Sequence, residues 1–289
     1  MPEDSKRPSV AAVVLAFSRY ELLQQLIEAL RQQTRRPDEI IVVNQGSKPE
    51  ITRWLAEQAD LTVITQENRG SAGGFCTCIE ESMRRGHAWT WVFDDDGIPQ
   101  QTALAELVLS PHFLPETVFM ASRVVDPKGQ TYMTPAPINS NGWYGTVLAD
   151  GCVEVNGCCW LGMLVNSDAV RRSGLPIAEF FLFDEDQEFS NRLARNGRAF
   201  CAIRSVVVHY QHPDFDPFGK DFIKHAYFVR NRIARAKIEP GSLLKKTLRA
   251  VRRAVEFLGM VARRKAPLRT VPWVLRGLFT FWPRVRFPD

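Results

Sequence analysis

The stretch Trp89-Thr90-Trp91-Val92-Phe93-Asp94-Asp95-Asp96-Gly97-Ile98-Pro99 sets an apolar run directly before three carboxylates and a Gly-x-Pro turn. A strand of that composition delivers its charges to the carboxyl edge of a sheet, where open α/β sheets bind ligands. Alternating side-chain direction places Asp94 and Asp96 on one side and Asp95 on the other. Two carboxylates converging on one point require a counter-charge, and a hard divalent cation shared with phosphate supplies it. An acidic solvated turn would look the same in isolation; the flanking segments decide between the two.

Upstream, Val10 to Phe17 is an unbroken apolar run, as expected of a strand buried on both faces of a parallel sheet. Ser18-Arg19-Tyr20-Glu21 has capping-box spacing, and Leu23, Leu26, Ile27 and Leu30 follow at helical period. Glu39 to Val43 reads as a second strand leading into Asn44-Gln45-Gly46-Ser47 and a helix near residues 50–59, and Leu61 to Thr65 as a third strand. Such alternation predicts a right-handed, mostly parallel α/β sheet. The third strand runs into Asn68-Arg69-Gly70-Ser71-Ala72-Gly73-Gly74, whose small residues permit close approach of backbone to ligand at a helix start. It is neither a Walker loop nor a G-x-G-x-x-G fingerprint.

The chain has 289 residues, 45% hydrophobic and 24% charged, enough for a sizeable core. No run of roughly 18 apolar residues suggests a membrane span, and the charged start MPEDSKRPS lacks the apolar centre of a signal peptide. Cytoplasmic residence is therefore expected. The six cysteines lack paired metal-binding spacing and read as reduced core thiols. The net charge of +5 conceals an asymmetry: residues 241–289 carry 12 Lys/Arg against Glu256 and Asp289, so residues 1–240 are net acidic. An acidic body argues against a nucleic-acid groove, and no nucleic-acid partner is expected.

Downstream, a Pro-rich connection (Pro127, Pro135, Pro137) is expected to form a loop over the site, and Val153 to Val165 is a second apolar block. Phe180-Phe-Leu-Phe183 leads into Asp184-Glu185-Asp186-Gln187-Glu188 and a helix ending near Leu193. Acids suit a helix N-terminus on macrodipole grounds alone. Ala202 to Val208 is a further strand, with His209 and His212 at its end, and a helix opens around Lys224 to Arg232.

The ordered set of apolar first strand, Asn-Gln-Gly-Ser turn, Asn-Arg-Gly-Ser-Ala-Gly-Gly loop and Phe-Asp-Asp-Asp-Gly-x-Pro strand end resembles family 2 glycosyltransferases of the GT-A fold. It is similar above all to their bacterial galactofuranosyl- and rhamnosyltransferase branch. The resemblance covers about residues 10–235. It implies a GT-A catalytic domain over 1–240, with a nucleotide-sugar half near 10–100 and an acceptor half near 118–235, plus a helical extension over 241–289. It makes Asp94, Asp95 and Asp96 the DxD-type site, with Phe17, Asn44, Asn68, Arg69, Gly73 and Gly74 around the nucleotide. Family members usually carry Asp at the position of Asn44, though an amide can also pair with a pyrimidine edge. By the same resemblance Asp186 is the catalytic base, with Glu185 and Glu188 orienting the acceptor or holding Arg192. His209 joins Asp94 and Asp96 as a ligand of Mn²⁺ or Mg²⁺, with His212 as the substitute. Trp160 sits where the donor and acceptor sugars pack, although core burial is the commoner fate of such a residue. Arg230 could reach diphosphate or brace the acids.

The implied activity is metal-dependent, inverting transfer of a sugar from a nucleotide-sugar donor to a glycan or lipid-linked glycan. Galactofuranose from UDP is favoured and rhamnose from dTDP is the alternative. A nucleotidyltransferase would show a basic Gly-rich segment after the first strand, and Ala16-Phe17-Ser18-Arg19 is not one. In the extension, Leu244, Leu248, Val251, Val255, Leu258 and Ala262 recur at helical spacing among Lys245, Arg249, Arg252 and Arg253. Such a basic amphipathic helix is expected to reach an anionic membrane surface at the inner face of the cytoplasmic membrane. Packing on the core, dimerisation, or a non-catalytic binding module built on this tail are the competing readings.

Overall fold

The computed structural model describes residues 7–138, 142–210, 216 and 218–288. The first half alternates as β1 (Val10–Ala16), α1 (Tyr20–Arg31), β2 (Glu39–Asn44), α2 (Pro49–Ala56), β3 (Leu61–Thr65), α3 (Gly70–Arg84) and β4 (Trp89–Asp94). These four strands are parallel, with β1 between β2 and β4. The apolar run of β1 is explained by its two faces. Val10, Ala12 and Val14 join a core with Leu23, Leu26 and Ile27 of α1, while Ala11, Val13 and Leu15 join one with Phe75 and Ile79 of α3. Burial on both sides leaves no polar position to alternate with.

The second half adds β5 (Gly97–Pro99), α4 (Ala103–Val108), β6 (Thr117–Val125), α5 (Trp143–Asp150), β7 (Cys152–Glu154), β8 (Leu161–Asn166), α6 (Ser167–Ser173), α7 (Glu185–Ala194) and β9 (Arg198–His209). Among the described residues the sheet runs β3-β2-β1-β4-β8-β6-β9-β5, with β7 attached to β9. The β4–β8, β6–β8 and β5–β9 pairs are antiparallel and β6–β9 is parallel, so the sheet is mixed where the two halves meet.

Two local expectations change. The capping box does not form: α1 begins at Tyr20 without a side-chain cap, and Arg19 is drawn instead to the acids after β4. Gly97-Ile98-Pro99 is a short strand rather than a turn, pairing Gly97 opposite His209. Helix α5 lies beyond the Pro-rich connection, in a stretch that the sequence reading leaves unassigned.

The C-terminal segment comprises α8 (Phe222–Ile238), α9 (Leu243–Ala262) and α10 (Val271–Leu275). The expected boundary near residue 240 falls between α8 and α9, but the two helices share a core. Val229, Ile233 and Ala236 of α8 pack with Ala250, Ala254 and Phe257 of α9 and Val274 of α10. The chain then returns to the catalytic body: Leu175 N donates to Arg286 O at 2.7 Å, and Arg286 pairs with Glu80 on α3. Among the described residues, no helix is long and apolar enough to cross a membrane.

Candidate active site

Strand β4 ends on Asp94, and the chain turns at once, so strict alternation fails and all three acids gather. One carboxylate oxygen from each of Asp94, Asp95 and Asp96 lies within 4.8 Å of the others. Asp95 is the most enclosed: it accepts from the Phe17 amide at 3.4 Å and is ion-paired with Arg19. Arg19 also meets Asp96 at 3.1 Å. One guanidinium against three acids leaves two negative charges in a poorly solvated place. Burial raises the Asp94 carboxyl well above the usual range, with Asp95 and Asp96 adding to it. Burial also raises Asp95, and Arg19 moderates the shift.

The β5–β9 pairing carries His209 to the same point. Its Nε2 is 3.4 Å from an Asp96 oxygen, and its ring lies nearly parallel to that of Tyr132 from the Pro-rich connection, centroids 5.7 Å apart. His209 Nδ1 is buried and has no hydrogen-bond partner among the described residues. Clustered carboxylates with uncompensated charge, an imidazole within reach and an unpartnered buried ring nitrogen fit a hard divalent cation. The substitute ligand His212 lies outside the described residues.

Around the nucleotide positions the structure separates framework from cleft. Asn44 is wholly buried, and its amide is used locally: Nδ2 donates to Thr52 Oγ1 at 3.1 Å and Oδ1 accepts from Ser47 N at 3.0 Å. As placed, it shapes the turn and presents nothing to a base. Gln45, which sequence reasoning passed over, ties the turn to the following loop. It donates to Gly70 O at 3.0 Å and accepts from the Arg69 amide at 3.0 Å. Asn68 and Arg69 are exposed at the start of α3. Gly73 and Gly74 do not form a loop under phosphate; both are buried within α3, where a Cβ on Gly74 would stand 2.3 Å from Leu15. The smallness of Gly74 seats α3 on β1, and a Cβ on Gly73 would collide with Arg69.

The second acidic group arrives from another direction. Asp184 occupies the N-terminal flank of α7 in the left-handed region (φ 69°), and Phe181 and Phe183 before it also have positive φ (63° and 66°). Such backbone persists only where neighbours over-determine it. Asn231 of α8 does so, its amide donating to the carbonyls of Phe180, Leu182 and Phe183 at 2.9, 2.8 and 2.8 Å. Arg230 donates to Phe180 O at 2.8 Å and stacks 3.9 Å over the Phe281 ring. Arg230 is therefore committed to bracing this loop rather than reaching a diphosphate. Asp184 is held by Arg232 at 3.1 Å and Arg235 at 3.0 Å.

Glu185 is buried; its Oε1 accepts from Ser71 of α3, while Oε2 has no hydrogen-bond partner among the described residues. The Trp160 indole N–H is close enough to favour the charged form of Glu185 but misses hydrogen-bond geometry, and it too is unpartnered. Trp160 is otherwise core, stacked on Phe75 with centroids 4.7 Å apart. Asp186 retains some exposed surface yet is crowded by protein on its other sides. Burial pushes its carboxyl up to about 8, with Glu185 adding repulsion. Glu188 does not address an acceptor: it pairs with Arg192 at 2.8 and 2.9 Å, deep inside the helix packing.

One segment joins the two acidic groups. The Asp94 amide donates to Trp160 O at 3.0 Å, and two residues earlier Gln187 and Ser190 of α7 each donate to Cys158 O at 3.2 Å. Between them, burial pushes the Cys159 thiol up to about 12, with Asp186 and Asp96 both contributing. The DxD-type acids and Asp186 thus flank the same short stretch.

A parallel nucleotide-type half-sheet ending in clustered acids, joined to a mixed half that presents a second carboxylate, defines a GT-A glycosyltransferase. The sequence profile of glycosyl transferase family 2 matches residues 11–173, and the chain belongs to that family. It is 28% identical to galactofuranosyltransferase GlfT1 of Mycolicibacterium smegmatis over 252 residues, 77% of this chain and 81% of that one. It is 27% identical to GlfT1 of Mycobacterium tuberculosis (strain CDC 1551 / Oshkosh) over 221 residues, 71% and 70% of the respective chains. Among solved structures, GalNAc-T7 with UDP, GalNAc and Mn²⁺ superposes with a TM-score of 0.66 at 11% identity, covering 94% of this chain and 57% of that one. The mannosyltransferase PcManGT of Pyrobaculum calidifontis, with GDP-Man and Mn²⁺, gives 0.59 at 16% identity, covering 94% and 80%. These likenesses carry the fold.

Proposed function

We propose that this glycosyltransferase moves galactofuranose from UDP-galactofuranose to a hydroxyl of a glycan or lipid-linked glycan in cell-surface polysaccharide synthesis, with inversion. The observation that carries the reading is the convergence of Asp94–Asp96 and Asp186 on the segment 158–160. The sugar assignment rests on the relatives named above. Asp94, Asp96 and His209 would hold the divalent cation, Mn²⁺ or Mg²⁺, which when bound offsets charge on the departing diphosphate. Arg19 opposes the burial-driven rise at Asp95 and fixes its carboxylate beneath the Phe17 amide, while exposed Asn68 and Arg69 would meet the nucleotide. Asp186 takes the proton of the attacking hydroxyl; a carboxyl titrating near neutrality is suited to that transfer. Glu185 Oε2 and the Trp160 indole N–H, both buried and unpartnered, offer one acceptor and one donor to sugar hydroxyls. Attack opposite the leaving group inverts the anomeric centre.

Calorimetric binding of UDP, dTDP and GDP, with and without Mn²⁺, to wild type and Asp96→Ala tests the site. Metal-dependent UDP binding that disappears in the variant supports the reading. A preference for dTDP moves the donor to dTDP-rhamnose, and metal-independent or absent binding to all three rejects the assignment. Product stereochemistry by NMR checks inversion separately.

A further inference from the structure

Helix α9 presents three arcs. At about 100° per residue, Ala250, Ala254 and Phe257 turn onto α8 and are buried. Of the stripe picked out by periodicity, Leu244, Leu248, Val251 and Val255 point elsewhere and are 68%, 58%, 45% and 61% exposed, while Leu258 packs against the core shared with α8. Arg249, Arg252 and Arg253 occupy the arc between them. They face Arg232 and Arg235 of α8 across a cleft of about 160 Å³, with Glu239 as its acidic lining residue. Asp184, Glu239 and Glu256 pair with these five guanidiniums, leaving two positive charges over. At the C-terminal end of α9 a wider groove of about 400 Å³ repeats the combination, with Arg264 and Lys265 beside Val261 and Leu268.

An exposed apolar stripe bordered by surplus guanidinium charge selects its occupant. A second copy of the chain would set arginine against arginine, and nucleic acid would leave the stripe in water. A bilayer with anionic phosphate headgroups satisfies both arcs. We propose that α9 docks the protein on an anionic phospholipid surface, the stripe entering the acyl boundary and the arginine cleft receiving a headgroup phosphate. Guanidinium groups match phosphate oxygens in pairs, which suits the cleft to that headgroup. The inference is independent of the donor chemistry proposed above.

The test is co-sedimentation of the full chain with phosphatidylcholine vesicles and with phosphatidylcholine–phosphatidylglycerol vesicles at low and high salt. The variants are Leu248→Ser/Val255→Ser and Arg252→Gln/Arg253→Gln, with far-UV circular dichroism and the urea midpoint as the measure that each is folded. The expected result is binding to the anionic vesicles alone, weakened by salt and by about tenfold in either variant. Absent binding, equal binding to neutral vesicles, or undiminished binding in both variants overturns it. A dimer in sedimentation velocity that the stripe variant dissolves would assign the face to a second copy. Calorimetric binding of inorganic phosphate without vesicle binding would assign the cleft to a soluble anion.

Discussion

Asp186 is a carboxyl whose surroundings work against its charge, and activity and stability should respond to that in opposite ways. With its pKa near 8 in the folded chain against an ordinary value of 3.8, the native state holds an extra proton between those limits. Stability contributed by this group therefore falls as pH rises from about 4 to about 8. Activity requires the deprotonated form, so kcat/KM should climb with pH and level off above about 8. In Asp186→Asn, turnover should drop by about 10²–10⁴-fold with UDP binding retained. The same variant should resist urea better than wild type at pH 9, with the two converging near pH 4. Equal urea midpoints at pH 9 would mean that burial does not oppose this charge. The acidic run at the start of a helix was legible in the sequence, and the family resemblance singled out Asp186 within it. The partners of the neighbouring acids were not legible: Ser71 lies 114 residues from Glu185 and Arg19 lies 76 from Asp95, separations no local pattern encodes.

At the level of elements, close approach of α3 to the loop before α7 is what brings Glu185 to Ser71. Gly70 makes this possible. It adopts φ 70°, and a Cβ there would stand 1.9 Å from the Phe181 carbonyl oxygen. Gly70→Ala should cost at least about 2 kcal/mol in denaturant unfolding and depress kcat more than donor affinity, because the displaced loop carries the acids. Arg192→Ala should be worse for stability, by about 3–5 kcal/mol, since it leaves Glu188 buried and unpaired and frees the carbonyls of Ser173, Gly174 and Leu175. Alternation of strands and helices and apolar periodicity made the parallel half readable, because β1, β2 and β4 are buried on both faces and β3 keeps an apolar run at the edge. The glycines at 73 and 74 were expected around the nucleotide, and the packing that they serve inside α3 needed a third dimension to see. A small residue under a ligand and a small residue under Leu15 leave the same mark in sequence. Similarly, the periodic stripe on α9 indicated amphipathicity but not which arc faces inward. The buried arc is built from Ala250, Ala254 and Phe257, two of them too small to stand out.

Across the whole molecule, the C-terminal helices belong to the catalytic architecture. Phe257 is the largest side chain that α9 buries against α8, and Phe257→Ala should lower stability by about 3 kcal/mol, read from the urea midpoint. If α9 were only an attached arm, that substitution would leave both midpoint and turnover unchanged. Helix α8, steadied by α9 and α10, supplies Asn231, and Asn231 alone holds three carbonyls of a loop whose residues sit in disfavoured backbone conformations. This arrangement sets an order of events in folding. The parallel strands pair within residues 10–94, but the loop before α7 has no reason to adopt its final shape until α8 has docked behind it. Asp186 is thus delivered last, by the most C-terminal part of the chain. Nucleotide affinity should return early in refolding, with transfer activity lagging until the final helices arrive.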